Sequence, residues 1–238
     1  MSVPRPVVCL PTYNERENLE KMVRSLANHE VDVLVIDDSS PDGTGEIADR
    51  LASELPWVEV LHRPQKEGLG RAYVDGFRHV LARGAQLVLE MDCDFSHDRA
   101  DVPRLIAAVE SGADLALGSR YVAGGGTANW GLARRFISRG ASIYTRVLLM
   151  PIHDATGGFK CFRRRVLESI DLEAIDAAGY VFQIETTYRT LRKGFEVVEV
   201  PIRFVDRTAG HSKMSRAIVL EAVWKVPRLR LASLRGRL

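Results

Sequence analysis

Leu87-Val88-Leu89-Glu90-Met91-Asp92-Cys93-Asp94-Phe95-Ser96-His97 is a short apolar run, interrupted once by Glu90, that stops on two carboxylates. The run over Leu87–Met91 predicts a buried strand. Carboxylates at i and i+2 point to opposite faces of a regular strand. At a strand end, where the chain turns, both can face one ion. Hard divalent cations take oxygen ligands, and Mg2+ or Mn2+ would share those carboxylates with the phosphate oxygens of a nucleotide. Ser96 and His97 follow close enough to add polar contacts. His97 has no cysteine or histidine partners at zinc-ligand spacing, so a zinc site is not supported.

The same pattern recurs upstream. Val7–Pro11, Val31–Ile36 and Val58–Leu61 are apolar runs of strand length, and Leu115–Gly118 repeats it downstream. Helical spacing separates them: Leu19, Met22, Val23 and Leu26 after a cap at Asn14 with Glu17 three residues on; Ile47, Ala48 and Leu51 after the turn at Asp42-Gly43; then Gly70–Leu81 and Val102–Val109. Alternating strands and helices with continuously apolar strands imply a parallel sheet covered on both faces. Ligands of such sheets bind beyond the carboxyl ends of the strands. Thr12-Tyr13-Asn14-Glu15, Asp37-Asp38-Ser39 and Asp92-Cys93-Asp94 all fall there and define one rim. A carboxylate in that position can bind a ribose hydroxyl or a base donor. Asp37 or Asp38 takes that role, and Asp42 caps the next helix.

The second half is less regular. Gly124-Gly125-Gly126 reads as a loop and Arg134–Leu149 as a long amphipathic helix. Phe159–Phe162 and Val197–Val200 read as short strands, with a helix near Gln183–Leu191 between them. Ile218–Leu231 reads as a last helix broken or kinked at Pro227. A third constellation is basic. It comprises Arg120, Arg134 and Ser138, and the loop Arg207-Thr208-Ala209-Gly210-His211-Ser212-Lys213. Guanidinium groups bind phosphate bidentately, and lysine adds a point charge.

Composition narrows the classes. The chain has 238 residues, 46% of them hydrophobic, which suits one well-buried core. Neither G-x-G-x-x-G nor G-x-x-x-x-G-K-[ST] occurs, so a dinucleotide oxidoreductase and a P-loop nucleotidase lose their main support. Cys9, Cys93 and Cys161 are scattered and odd in number, as expected of reduced thiols in an intracellular protein. Met1–Arg5 lacks the apolar core of a secretory signal, and no stretch approaches the roughly 18 apolar residues of a membrane span. From Arg207 to Leu238 there are eight basic residues and one acid, Glu221, against +2 for the whole chain, so the preceding body is net acidic. Such a tail suits an anionic surface or a solvated helix face. With no interleaved aromatic stacking surface, nucleic acid is not an expected partner.

Taken in order, these motifs resemble the polyprenol-phosphate (dolichol-phosphate) mannosyltransferases, inverting enzymes of the GT-A glycosyltransferase family. The resemblance runs from about Val7 to Met214. It is carried by Pro11-Thr12-Tyr13-Asn14-Glu15, Asp37-Asp38-Ser39-Ser40-Pro41-Asp42-Gly43-Thr44, Gly68-Leu69-Gly70 and Met91-Asp92-Cys93-Asp94-Phe95-Ser96-His97. It continues through Gly118-Ser119-Arg120-Tyr121, Trp130-Gly131 with Arg134 and Ser138, Thr156-Gly157-Gly158-Phe159, and Arg207 to Lys213.

The resemblance implies an α/β, GT-A-like single domain over residues 1–214. Its mostly parallel central sheet is flanked by helices, and a basic amphipathic C-terminal helix over 215–238 meets a membrane or a partner. It implies transfer of mannose from GDP-mannose to a polyprenyl monophosphate with inversion; the nearest alternative moves another sugar, such as glucose from UDP-glucose. Pro11, Tyr13, Glu15 and Asp38 would hold the nucleoside, with Asp92 and Cys93 also at the substrate. Asp92, Asp94 and Ser96 would hold Mg2+ or Mn2+, although some members carry glutamine in place of Ser96. Arg120, Arg134, Ser138, Arg207 and Lys213 would grip phosphates, with Asp94, Arg120 and Arg134 in the catalytic roles. Some members continue into membrane helices, whereas this chain stops at Leu238. Access to a cytoplasmic (inner) membrane face then falls to the last helix, with Val223, Val226 and Leu229 among its apolar positions, or to a membrane-anchoring partner protein.

Overall fold

The computed structural model describes residues 4–175, 179–206 and 216–236, with residues 133, 180 and 216–222 as backbone alone. Arg207 and Lys213, two of the expected phosphate ligands, lie outside the described residues. Nine strands and eight α-helices are described: β1 Val7–Thr12, α1 Leu19–Leu26, β2 Asp32–Asp37, α2 Thr44–Glu54, β3 Val58–His62, α3 Leu69–Ala82, β4 Leu87–Glu90, α4 Val102–Glu110, β5 Leu115–Ser119, β6 Gly126–Ala128, α5 Leu132–Leu148, β7 Lys160–Arg163, α6 Arg164–Ser169, α7 Gly179–Arg192, β8 Val197–Pro201, β9 Arg203–Val205 and α8 Arg216–Leu234.

Period-two alternation distributes the apolar side chains to both faces of one sheet. Val8, Leu10, Val33, Val35 and Leu89 meet α1, α2 and α4 on one side. Cys9, Leu34, Ile36 and Val88 meet α3, α6 and α7 on the other. The strand order is β3-β2-β1-β4-β7-β5-β8. β1 pairs in parallel with both β2 and β4, so the order reverses direction between β1 and β4. A crevice opens at such a switch point. β7 runs antiparallel between β4 and β5. The chain just before β7, Gly157-Gly158-Phe159, therefore reaches the same sheet edge as the carboxyl ends of its neighbours. A small second sheet pairs β6 with β9, and the Val205 N–H donates to the Ser96 carbonyl at 3.1 Å.

Three expectations change. Asn14 does not cap a helix: its φ is 59°, its N–H donates to Ser40 Oγ at 3.1 Å, and α1 begins at Leu19 after Asn18. Residues 13–18 instead fold over the end of β1. They are held by Glu15 N–H to Thr44 Oγ1 at 3.0 Å and Arg16 N–H to Asp42 Oδ2 at 3.2 Å. Gly126 is not loop but the first residue of β6, because Arg203 on β9 offers a partner backbone. Of the two alternatives at Pro227, the break falls away: α8 continues through it. Proline inside a helix costs about 3 kcal/mol. Here Val226 and Leu229, on either side of it, are buried with Leu117, Leu149 and Tyr188, and that burial offsets the missing hydrogen bond. Asp42 does serve the start of α2 as expected, its Oδ1 accepting from Thr44 N–H at 3.1 Å.

Gly125 permits a close approach near the crevice. A Cβ there would stand 2.5 Å from the Ser119 carbonyl oxygen and 3.0 Å from the Arg120 carbonyl carbon. Both obstacles are backbone and cannot rotate away. Gly125→Ala is expected to cost about 1–3 kcal/mol, read as a lower midpoint in chemical denaturation. An unchanged midpoint would contradict the contact.

Candidate active site

A cavity of about 310 Å³ lies beyond the carboxyl ends of β1, β2, β4 and β5. One end lies at the carboxyl ends of β1 and β2. Pro11, Tyr13, Glu15 and Asp38 line it, as expected, and Lys66 joins them. The Lys66 ammonium sits 3.5 Å above the Tyr13 ring centre, a cation–π geometry. Asp37 points elsewhere: its oxygens accept from Ser40 Oγ at 2.6 Å and Ser40 N–H at 3.1 Å. The alternative left open between Asp37 and Asp38 thus resolves to Asp38 as the carboxylate on the cavity. Burial pushes the Asp38 carboxyl up, and Arg63 opposes the shift. Arg63 is buried, contacts Asp38, and also holds Asp75 and Glu67 at 2.7 Å each. Sequence reading missed both basic residues. Lys66 stands two before Gly68, the residue that precedes α3, which is a faint signal. Arg63 carries none, because its partners are distant or ambiguous in sequence.

The middle of the cavity is acidic. Asp92, Cys93 and Asp94 line it together. Asp94 Oδ1 accepts from Ser96 N–H at 3.1 Å and Ser96 Oγ at 2.5 Å. Ser96 is buried behind Asp94 and does not line the cavity; its hydroxyl orients that carboxylate. Burial pushes the Cys93 thiol far up, so it remains a neutral thiol. His97 packs between Phe159 and Phe204, with ring centres 4.9 and 5.1 Å away. Its Nε2 is 3.7 Å from Asp92 Oδ2, and neither ring nitrogen has a hydrogen-bond partner. Two carboxylates beside an orphaned, buried imidazole suit a divalent cation. Among the described residues, no three His, Cys, Asp or Glu side chains converge on a metal position. A cation here therefore needs oxygens from its ligand as well, which fits a hard ion shared with a diphosphate better than a structural zinc.

The far end is basic, but differently from expectation. Arg120 lines the cavity, yet its guanidinium is turned onto Asp154, with Nε to Oδ2 at 2.7 Å and Nη2 to Oδ1 at 2.6 Å, and onto Thr156 Oγ1 at 2.8 Å. Asp154 is fully buried, so this pair braces the wall. The sequence could not show it, because the partners are 34 residues apart. Arg134 projects from α5, with Nη1 2.6 Å from Asp206 Oδ1 and its guanidinium 4.3 Å from the Trp130 ring centre. Its Nε has no partner. Ser138 lies one turn along α5, accepts from Tyr121 Oη at 2.7 Å, and does not line the cavity. Asp206, the last described residue before the basic loop, is thus tied to the cavity wall.

Beneath the floor lies a buried charged pair. Glu90 and Lys160 are both fully buried, with Oε2 and Nζ 4.0 Å apart. Burial pushes the Glu90 carboxyl up and the Lys160 ammonium down, and each charge resists the shift of the other. Lys160 donates to the Gln183 carbonyl at 2.9 Å, Gln183 Oε1 at 2.6 Å and Thr186 Oγ1 at 2.9 Å.

A family model described as glycosyl transferase family 2 matches residues 7–171, most of the chain and all of the acidic rim. The chain belongs to glycosyl transferase family 2. It is a glycosyltransferase of the mixed α/β, GT-A kind. It is 50% identical to the polyprenol monophosphomannose synthase of Mycolicibacterium smegmatis, over 98% of this chain and 89% of that one. It is 49% identical to the undecaprenyl-phosphate mannosyltransferase of Micrococcus luteus, over 98% and 99%. A mannosyltransferase from Pyrobaculum calidifontis, solved in complex with GDP-Man and Mn2+, shares the fold with a TM-score of 0.63 at 16% identity, over 99% of this chain and 75% of that one.

For this transferase, Asp94→Ala is expected to abolish sugar transfer and to weaken Mn2+ binding measured by calorimetry, with the circular dichroism spectrum unchanged. Near-normal transfer with Mg2+ in that variant would remove Asp94 from the metal site.

Proposed function

We propose that this transferase moves mannose from GDP-mannose to a polyprenyl monophosphate with inversion, giving a polyprenyl-phosphate mannose. The observation that carries the reading is the single cavity in which a nucleoside rim, paired carboxylates and Arg134 succeed one another. The names of the two closely similar relatives support the donor sugar and the lipid acceptor. The complex of the Pyrobaculum protein supports GDP-mannose with a divalent cation.

Pro11, Tyr13, Glu15, Asp38 and Lys66 bind the nucleoside end. Asp92 and Asp94 hold Mg2+ or Mn2+, whose chemistry when bound is to neutralise charge on the departing diphosphate. Ser96 fixes Asp94 rather than binding the ion itself. The acceptor phosphate monoester has a second pKa near ~6, so it is largely dianionic at neutral pH and needs no catalytic base. The chain's task is alignment and charge balance. Arg134 carries that role at the acceptor end, joined by Arg207 and Lys213 of the basic loop; Arg120 keeps the wall in register through Asp154. Attack in line with the departing diphosphate inverts the anomeric carbon.

A lipid acceptor requires a lipid surface. No helix among the described residues is long and apolar enough to cross a membrane. α5 and α8 instead expose large apolar side chains side by side: Phe136 is 77%, Val147 76% and Trp224 69% exposed. The helices are joined by Tyr144 Oη donating to the Val223 carbonyl at 3.0 Å and Arg230 donating to the Leu148 carbonyl at 3.1 Å. The same two helices carry Arg135, Arg139, Arg146, Arg228 and Arg230. Exposed apolar side chains and cations on the same helices suit the interface of an anionic bilayer. We assign the face to peripheral docking at the cytoplasmic side of a membrane, with residues 1–214 as the transferase domain and 215–238 as part of the docking surface.

Incubation with GDP-mannose, Mg2+ or Mn2+ and a polyprenyl phosphate is expected to yield a mannolipid, with UDP-glucose giving none. Transfer from UDP-glucose alone would overturn the donor assignment. Phe136→Ser with Val147→Ser is expected to reduce co-sedimentation with phosphatidylglycerol vesicles while leaving the thermal midpoint unchanged. Undiminished co-sedimentation would refute docking through α5.

A further inference from the structure

Gly140 stands in the middle of α5, which is continuous helix on either side of it. Glycine inside a helix is destabilising relative to alanine, because its unfolded backbone has more freedom to lose. Packing can justify that cost. In α3 it does: a Cβ at Gly76 would run into Ile36 Cδ1, so α3 rests on β2 only because no side chain intervenes. At Gly140 that reason is missing. A Cβ there would meet nothing within 4 Å, and the residue is not among the glycines with positive φ. It is also exposed. The fold gains nothing from the missing side chain, so its use lies in a ligand that comes to this surface.

The neighbours define the chemistry of that ligand. Positions i±3 and i±4 surround a residue on a helix surface. Around Gly140 these are Phe136, Ile137, Ile143 and Tyr144. Phe136, Ile137 and Ile143 are exposed. Tyr144 is braced against α8, its hydroxyl donating to the Val223 carbonyl at 3.0 Å. The result is a notch with a bare floor and apolar walls. Helix side chains lean toward the N-terminus, so the bare position uncovers the turn at Phe136 and Ile137.

The notch continues from the cavity. Arg134, Ile137 and Gly140 are successive members of one i+3 row, which winds obliquely across a helix. Exposure rises along it. Arg134 lines the cavity with its side chain 17% exposed, Ile137 is 47% exposed, and Gly140 opens outward. The helix rises about 9 Å over that stretch. A ligand held by its phosphate on Arg134 leaves the cavity along this row, and the walls it passes suit a slender apolar chain.

We propose that the notch at Gly140 seats the isoprene units of the polyprenyl acceptor nearest its phosphate, between the Phe136–Ile137 turn and the Ile143–Tyr144 turn. This rests on Arg134 meeting the acceptor phosphate, as proposed above.

The test is steady-state transfer by the full chain in detergent micelles, where no bilayer contributes. Gly140→Leu fills the notch without a clash. It is expected to raise KM for polyprenyl phosphate about tenfold, as loss of about two buried methylene groups would. KM for GDP-mannose and kcat are expected to stay within about twofold, the pattern of lost acceptor binding. Gly140→Ala is expected to raise the acceptor KM less and to raise the thermal midpoint by about 2–4 °C, since alanine is the better helix former. A more stable variant that binds its acceptor worse is not a damaged fold. An unchanged acceptor KM in Gly140→Leu, or an equal rise for both substrates, overturns the proposal. Loss of co-sedimentation with acceptor-free phosphatidylglycerol vesicles, with the acceptor KM unchanged, overturns it in favour of a bilayer lipid in the notch. Arg134→Ala separates the two readings. If it raises the acceptor KM and Gly140→Leu does not, the seat alone fails. If neither does, or if the wild-type chain forms no mannolipid, the acceptor assignment fails and the seat with it.

Discussion

Asp37 and Asp38 at the end of β2, and Asp92 and Asp94 beyond β4, crowd one edge of the sheet on either side of β1, and the architecture of the site follows from how their repulsion is offset. Each has its own answer. Asp37 is absorbed into the turn at Ser40. Asp38 leans on Arg63, itself held by two further carboxylates. Asp94 is fixed by the backbone and hydroxyl of Ser96. Asp92 is the partly exposed member, 3.7 Å from a histidine whose ring nitrogens have no hydrogen-bond partner. The field of such a cluster favours a cation, and a cation there draws the phosphates of a nucleotide donor.

The same logic explains why the basic end is already paired. Arg120 and Arg134 lie against aromatic rings and carboxylates of their own. An unpaired guanidinium buried beside Trp130 would be costly. Asp154 and Asp206 keep those arginines placed, and Arg134 retains donor capacity at Nε. α5 then serves two ends. Its first turn reaches the cavity through Arg134, and its outer face carries Phe136 and Val147 toward solvent. In the proposed function, a lipid phosphate and the bilayer that holds the lipid are met by one helix.

Much of this was legible in the sequence where chemistry is local. Apolar runs ending in polar or acidic residues located β1, β2 and β4 and the acidic rim, because strand burial and strand termination are written in neighbouring residues. Errors arose where distant residues intervene. Asn14 satisfies a local capping rule, yet Ser40, Asp42 and Thr44 recruit its segment into a turn. Pro227 satisfies a local breaking rule, yet burial of Val226 and Leu229 overrides it. Arg120 is no such error: it lines the cavity as its chemistry suggests, and the structure adds Asp154 as a partner that no local pattern could show.

The sequence by itself determined the α/β class, the carboxylate rim and the family resemblance, since each depends on the order and spacing of a few adjacent side chains. Only the tertiary structure decided that β7 runs antiparallel into the sheet, and so brings Gly158 to the cavity and Lys160 against Gln183 of α7. It also decided that α5 and α8 pack together, each leaving large apolar side chains exposed. Strand direction and helix pairing are set by the burial of surfaces that meet only when the whole chain has packed, and no local pattern encodes them.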